Sequence, residues 1–168
     1  MIDQYFWGKS ERISPEAPVQ VINVRNESLV LGGAGNVINN LKVLGSNVDV
    51  ISVIGNDENA IKLKDLLISI NVGTKYLITE DNRITSKKSR VIASQQQVVR
   101  YDRESTDEIN KPSQKLVLEI YKKIINNYDI VLISDYGKGI LSTKLTQSII
   151  NVASQNNKKV LIDPKGLD

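Results

Sequence analysis

Two short apolar runs near the end of the chain, separated by a helical pattern, constrain the fold more than any other feature. Asp129-Ile130-Val131-Leu132-Ile133-Ser134 is almost continuously apolar, as expected of a parallel strand buried on both faces. A helical pattern follows over about 142–155, and residues 159–163, Lys-Val-Leu-Ile-Asp, read as the next strand. The same order occurs upstream. Residues 47–54 form a β-branched run closed by Gly55, and a helix over about 58–70 carries Leu63, Leu66, Leu67 and Ile70 at i, i+3, i+4 and i+7. A strand at 74–79 and a helix over roughly 113–127, its inner face formed by Val117, Ile120, Ile124 and Tyr121, fill the middle. This alternation predicts an α/β fold of right-handed βαβ units around a mostly parallel central sheet.

Other strands do not alternate with helices. Residues 19–31 contain two alternating apolar runs broken at Asn26-Glu27, which predicts a strand pair turning at Asn26. Strands at 86–93 and 97–103 flank the polar turn Ser94-Gln95-Gln96. These pieces, at about 19–31 and 86–103, are assigned to a small antiparallel lid. The first eighteen residues mix aromatics, charges and two prolines and read as mostly loop. No internal repeat or low-complexity tract is visible.

Composition narrows the chemistry. There is no cysteine and no histidine, which excludes disulfides, thiolate nucleophiles, imidazole triads and His- or Cys-ligated metals. Carboxylates, lysines, hydroxyls and backbone dipoles remain. Twenty-two basic against nineteen acidic residues give a net charge of +3, too small and scattered to suggest a nucleic-acid or membrane-surface binder. No apolar stretch reaches membrane-spanning length and the polar start is not a signal peptide, so a cytoplasmic location is expected.

Three stretches carry candidate chemistry. Gly32-Gly33-Ala34-Gly35-Asn36 lies between a strand and a helix, where glycines let a ligand approach the backbone and the helix N-terminus offers free N–H groups. It is not a Walker loop and it lacks the third glycine of a dinucleotide fingerprint; the bland alternative is a plain tight turn. Asn36 is suited to capping the helix or to bonding a hydroxyl. Ser134-Asp135-Tyr136-Gly137-Lys138-Gly139 and Asp163-Pro164-Lys165-Gly166 end two neighbouring strands, where open α/β sheets place ligands. The bland alternative is a polar turn whose Asp135 caps the next helix. Strand alternation puts Lys88 and Arg90 on one face of the lid, and Arg100 with Asp102 on one face of its partner. Such a face fits a phosphate, or is merely solvated. Asp3, beside Tyr5, Phe6 and Trp7, is compatible with a disordered terminus.

Together these residues resemble the ribokinase-like (PfkB-type) carbohydrate kinases, and most closely the kinase domain of the bifunctional D-glycero-β-D-manno-heptose 7-phosphate kinases. The matching stretches are Asp3-Gln4-Tyr5 with Trp7-Gly8, Arg12 to Val19, Gly32 to Val37, Gln96-Gln97 with Arg100 and Asp102, Ser134 to Gly139, and Leu161 to Gly166. The run Arg12-Ile13-Ser14-Pro15-Glu16-Ala17-Pro18 is the most specific, and the resemblance covers essentially the whole chain.

The resemblance implies transfer of the ATP γ-phosphoryl group to the C1 hydroxyl of heptose 7-phosphate, a step toward lipopolysaccharide core sugars. It implies that Asp3, Gly32, Gly33 and Asn36 bind sugar hydroxyls and that Lys88, Arg90 and Arg100 bind the 7-phosphate. Asp135 and Lys138, with Asp163 and Lys165, would lie at the phosphoryl-transfer edge. It also implies a homodimer through the lid strands, with ATP and Mg2+ as cofactors of the complete enzyme. The family's Gly-Ala-Gly-Asp segment, whose Asp is the general base, does not occur here, and neither does the adenine-binding region. Residues 1–168 are therefore expected to be an incomplete, sugar-binding part of a kinase domain, truncated at both ends, with no catalytic residue or resident metal of its own. Tight cofactor binding by these residues is not expected. The alternatives are a kinase for fructose phosphate, ribose or a nucleoside, and a non-catalytic sugar-phosphate-binding or dimerisation module.

Overall fold

The structure is a computed structural model that describes residues 1–165. In chain order the elements are β1 (Ile2–Ile13), β2 (Gln20–Leu31), α1 (Ala34–Val43), β3 (Ser52–Gly55), α2 (Glu58–Ser69), β4 (Leu77–Glu80) and β5 (Lys87–Ala93). They continue with β6 (Gln96–Arg103), α3 (Lys111–Ile124) with a 3-10 turn over Ile125–Asn127, β7 (Ile130–Ser134), α4 (Thr143–Gln155) and β8 (Lys159–Asp163). Among the described residues no helix is long and apolar enough to cross a membrane.

The α/β alternation is present. β3 pairs in parallel with β4, and β7 in parallel with β8. Val53, Ile78 and Ile133 from these strands share one apolar core with Val117, Tyr121 and Ile125 and with Leu145, Ile149 and Val152 of α4. A second core joins Ile2 and Leu31 to Ile54 and to Leu63 and Leu67 of α2. Helices α2, α3 and α4 each start where a short polar side chain meets the orphan N–H groups. Asp57 accepts from the Ala60 amide, Asn110 from Ser113 and Ser142 from Leu145.

The lid departs from the sequence reading in three ways. The segment expected to be loop at the N-terminus is a twelve-residue strand, β1. It lacks clean apolar alternation because it is hydrogen-bonded on both edges, antiparallel to β2 and parallel to β5, so ladder bonds rather than a single buried face hold it. β2 is one strand and not a pair turning at Asn26. Trp7 faces Asn26 and Gly8 faces Val24, which leaves Arg25 as the extra residue of a β-bulge. The lid is thus a mixed four-stranded sheet in the order β2-β1-β5-β6. Its β5–β6 turn is two residues, Ser94 and Gln95, both with positive φ as a hairpin of this length requires.

β7 is also less covered than its composition suggests. Ile133 is buried, but Ile130 and Leu132 are 51% and 39% exposed, and β8 exposes Leu161 and Ile162.

The connection between lid and core is fastened by Arg83. Its guanidinium, 7% exposed, donates from Nη1 to the Asp107 carbonyl at 3.2 Å and from Nη2 to the Lys138 carbonyl. Burial lowers its pKa, with Glu80 and Asp107 opposing. Beside it, the Ile109 amide donates to the Gly139 carbonyl at 2.9 Å, and Gly139 sits at φ +69° with its α-carbon against the Asp107 carbonyl. A methyl group there meets both a left-handed backbone and a main-chain oxygen. Gly139→Ala is expected to cost about 2–4 kcal/mol of stability, and Arg83→Met about 2–3 kcal/mol by leaving two carbonyls without donors. Urea unfolding with an unchanged m-value checks both; a loss under 1 kcal/mol in either variant contradicts this account of the junction.

Candidate functional site

Alternation along β1 places Asp3, Tyr5 and Trp7 on one side of the lid. Parallel pairing sets Asp3 beside Lys88 and Tyr5 beside Arg90, and the β5–β6 register sets Lys88 against Asp102 and Arg90 against Arg100. One face therefore gathers Asp3, Lys88, Arg90, Arg100 and Asp102.

Their charges are matched closely. Arg90 Nη1 lies 3.0 Å from Asp3 Oδ1, with both side chains largely sequestered, and Asp3 raises the Arg90 pKa. The guanidinium also rests over the Tyr5 ring, 5.2 Å from its centroid, and Tyr5 stacks on Trp7 at 5.4 Å. Lys88 Nζ donates to Asp102 at 2.5 Å, and Arg100 Nε lies 3.2 Å from the other oxygen of that carboxylate. The Lys88 hydrogen bond holds the Asp102 carboxyl below its ordinary value. Arg100 is the most open of these cations, at 51% exposed.

The glycine loop supports this face from below. A β-carbon on Gly32 would lie 2.6 Å from the Asp3 carboxylate, so the missing side chain is the space that the carboxylate fills. Gly33 adopts φ +52° as the N-cap of α1, and a β-carbon there would lie 3.3 Å from the Tyr136 ring. Asn36 is not the cap considered from the sequence: it is the third residue of α1 and exposed, and the cap carries no side-chain bond.

The two acid–lysine loops meet at one sheet edge. Ser134 and Asp163 are register partners at the carboxyl ends of β7 and β8, and the Asp135 amide donates to the Asp163 carbonyl at 2.9 Å. Asp135 does not cap α4, whose cap is Ser142. Its Oδ1 instead accepts from the Gly137 amide at 2.8 Å. The Lys165 side chain lies along Gly137, within 2.8 Å of where a β-carbon would be. Gly166 lies outside the described residues. Lys138 turns away from this edge toward the lid, where its Nζ donates to Glu104 Oε1 at 2.5 Å.

Glu104 was not singled out from the sequence, although it extends the two-residue spacing of Arg100 and Asp102 by one step. It lies just beyond β6, and the strand pattern stops before it. Arg83 was missed because nothing local signals that a loop arginine is buried.

Among the described residues no group of three or more carboxylates is placed to hold a metal. Two cavities, of about 470 and 430 Å3, lie at the β4–α3 junction and the lid tip.

The profile of a family described as pfkB family carbohydrate kinase matches residues 1–168. A curated relative named bifunctional protein HldE, from Aliarcobacter butzleri, is 63% identical over all of this chain, which covers 35% of that protein. One of the same name from Sulfurimonas denitrificans is 53% identical, again with 35% of its length covered. The chain thus spans about a third of the curated relatives it matches. Among solved structures, a crystal structure titled as a putative phosphofructokinase from Staphylococcus aureus superposes with a TM-score of 0.76 at 17% identity, over 98% of this chain and 50% of the other.

Two outcomes test the site geometry. Gly32→Ala must push Asp3 off Arg90, so the Arg90 side-chain N–H should exchange with solvent faster than in the unmodified protein while the fold persists. The Asp102 carboxyl should titrate below about 3.9, the unfolded reference. Because its folded value is depressed, its contribution is complete above that pH and is lost as pH falls through the lower folded value. Lys88→Met should move the NMR-detected midpoint back up; no movement contradicts the pairing.

Proposed function

Because the chain belongs to the pfkB family of carbohydrate kinases, we propose that it is the sugar-binding part of an ATP-dependent kinase acting on the C1 hydroxyl of D-glycero-β-D-manno-heptose 7-phosphate. The observation that carries this reading is the Asp3–Arg90 pair seated on Gly32, with Arg100 open on the same lid face. A carboxylate held by one arginine keeps its second oxygen for sugar hydroxyls, and the glycine loop lets the sugar approach the backbone. Asn36 adds an amide at the start of α1. Arg100, with Lys88 and Arg90 behind it, meets the 7-phosphate through charge-assisted bonds.

The sugar's reacting end then points toward Asp135 and Asp163 with Lys165. ATP would supply the phosphoryl group and Mg2+ would neutralise its charge. We assign both, and the general base, to parts of the kinase beyond these residues. The one-third coverage of the curated relatives and the exposed Ile130, Leu132, Leu161 and Ile162 of the β7–β8 pair support that division. We further propose a second copy of the chain against the lid, where Val24, Val98, Val99 and Tyr101 are exposed. Sedimentation of the protein and of a Val99→Lys variant tests the pairing.

Titration with heptose 7-phosphate, followed by NMR, tests the sugar site. Arg100→Ala should weaken the phosphorylated sugar about tenfold and leave phosphate-free heptose unaffected. Asn36→Ala should weaken both sugars to a similar degree. If neither variant changes either affinity, the assignment fails.

A further inference from the structure

Lys88 belongs to the lid and Lys138 to the loop after β7, yet one carboxylate serves both. Glu104 Oε1 lies 2.5 Å from Lys138 Nζ, and its Oε2 lies 3.6 Å from Lys88 Nζ. All three side chains are largely sequestered, at 16%, 14% and 15% exposed. Oε2 is buried and accepts no hydrogen bond. Among the described residues no other ion pair links the lid to this loop.

The charge balance makes this bridge consequential. Lys88, Arg90, Arg100 and Lys138 face Asp3, Asp102 and Glu104, leaving one net positive charge. Two ammonium groups this poorly solvated repel each other unless a carboxylate lies between them. We propose that Glu104 is a positioning residue of the sugar-phosphate site: it holds the Lys138 ammonium of the loop and the Lys88 ammonium of the lid on one carboxylate, so that both structures address the same ligand. This rests on the sugar-phosphate reading above. Glu104 acts through the two lysines and does not itself touch the ligand.

The test combines a ligand-free readout with a binding readout. Lysine acetylation by an N-hydroxysuccinimide ester, followed by mass spectrometry, reports how firmly each ammonium is held, with exposed Lys115 as internal reference. Glu104→Gln keeps the shape and removes the charge. It should raise the reactivity of both Lys88 and Lys138 about tenfold relative to Lys115. It should also weaken heptose 7-phosphate about tenfold, with phosphate-free heptose far less affected. The double variant Glu104→Gln with Lys138→Met should weaken binding by less than the product of the two single effects, because they share the Glu104–Lys138 interaction, and any remainder reflects the hold of Glu104 on Lys88.

Unchanged Lys138 reactivity overturns the proposal. So does tighter binding of the phosphorylated sugar, the result expected if Glu104 only offsets positive charge. Equal weakening of both sugars, or additive effects in the double variant, also overturns it. Should Glu104→Gln fail to fold, Lys138→Met decides: it leaves Glu104 to Lys88 alone, so Lys88 should become less reactive, and an unchanged Lys88 refutes the sharing. If the unmodified protein binds no heptose 7-phosphate, the functional reading falls, while the acetylation pattern still decides whether Glu104 holds both ammonium groups.

Discussion

Strand β1 is hydrogen-bonded along both edges, and the placement of almost every other candidate group depends on that. Its first residue, Ile2, is fully buried in the core shared with Leu31 and Leu63, which fixes where the strand starts. From that anchor a two-residue period admits only one result: Asp3, Tyr5 and Trp7 on one face. Parallel pairing with β5 then brings Lys88 and Arg90 alongside, and antiparallel pairing with β6 adds Arg100 and Asp102. A one-residue slip would turn each of these side chains to the other face.

Once gathered, the charges are organised by mutual pairing and not left as a bare cationic patch. Asp3 takes Arg90, and Asp102 takes Lys88 and Arg100. Such pairing costs side-chain freedom that an exposed pair would scarcely repay. Here the partners are mostly sequestered, so an unpaired charge would be the more costly state. In the proposed sugar-phosphate site, a face with almost balanced charge attracts phosphate weakly by itself, so the hydroxyl groups of the ligand add to the hold on its anion.

The junction between lid and core relies on backbone chemistry. Arg83 donates to two carbonyls of segments distant in sequence, and Gly139 permits a main-chain approach that no side chain would allow. Together with Glu104 these contacts position the β7–α4 loop against the lid root. The larger apolar core also reaches this loop, through Ile140 and Leu141 packed against it.

The α/β alternation, the four helices and the strands of 86–103, 129–134 and 159–163 were legible in the sequence because each carries its own period or turn chemistry. The double-glycine loop and the acid–lysine loops were legible because glycine and strand-end positions restrict what a backbone can do. β1 was not legible, since a strand paired on both edges needs no apolar alternation, and the bulge at Arg25 looked like a turn for want of its partner strand. The contacts of Asp3, Arg83 and Glu104 had no local signature at all. Their roles arise from register and from burial between segments far apart in the chain, and these exist only once the strands have paired.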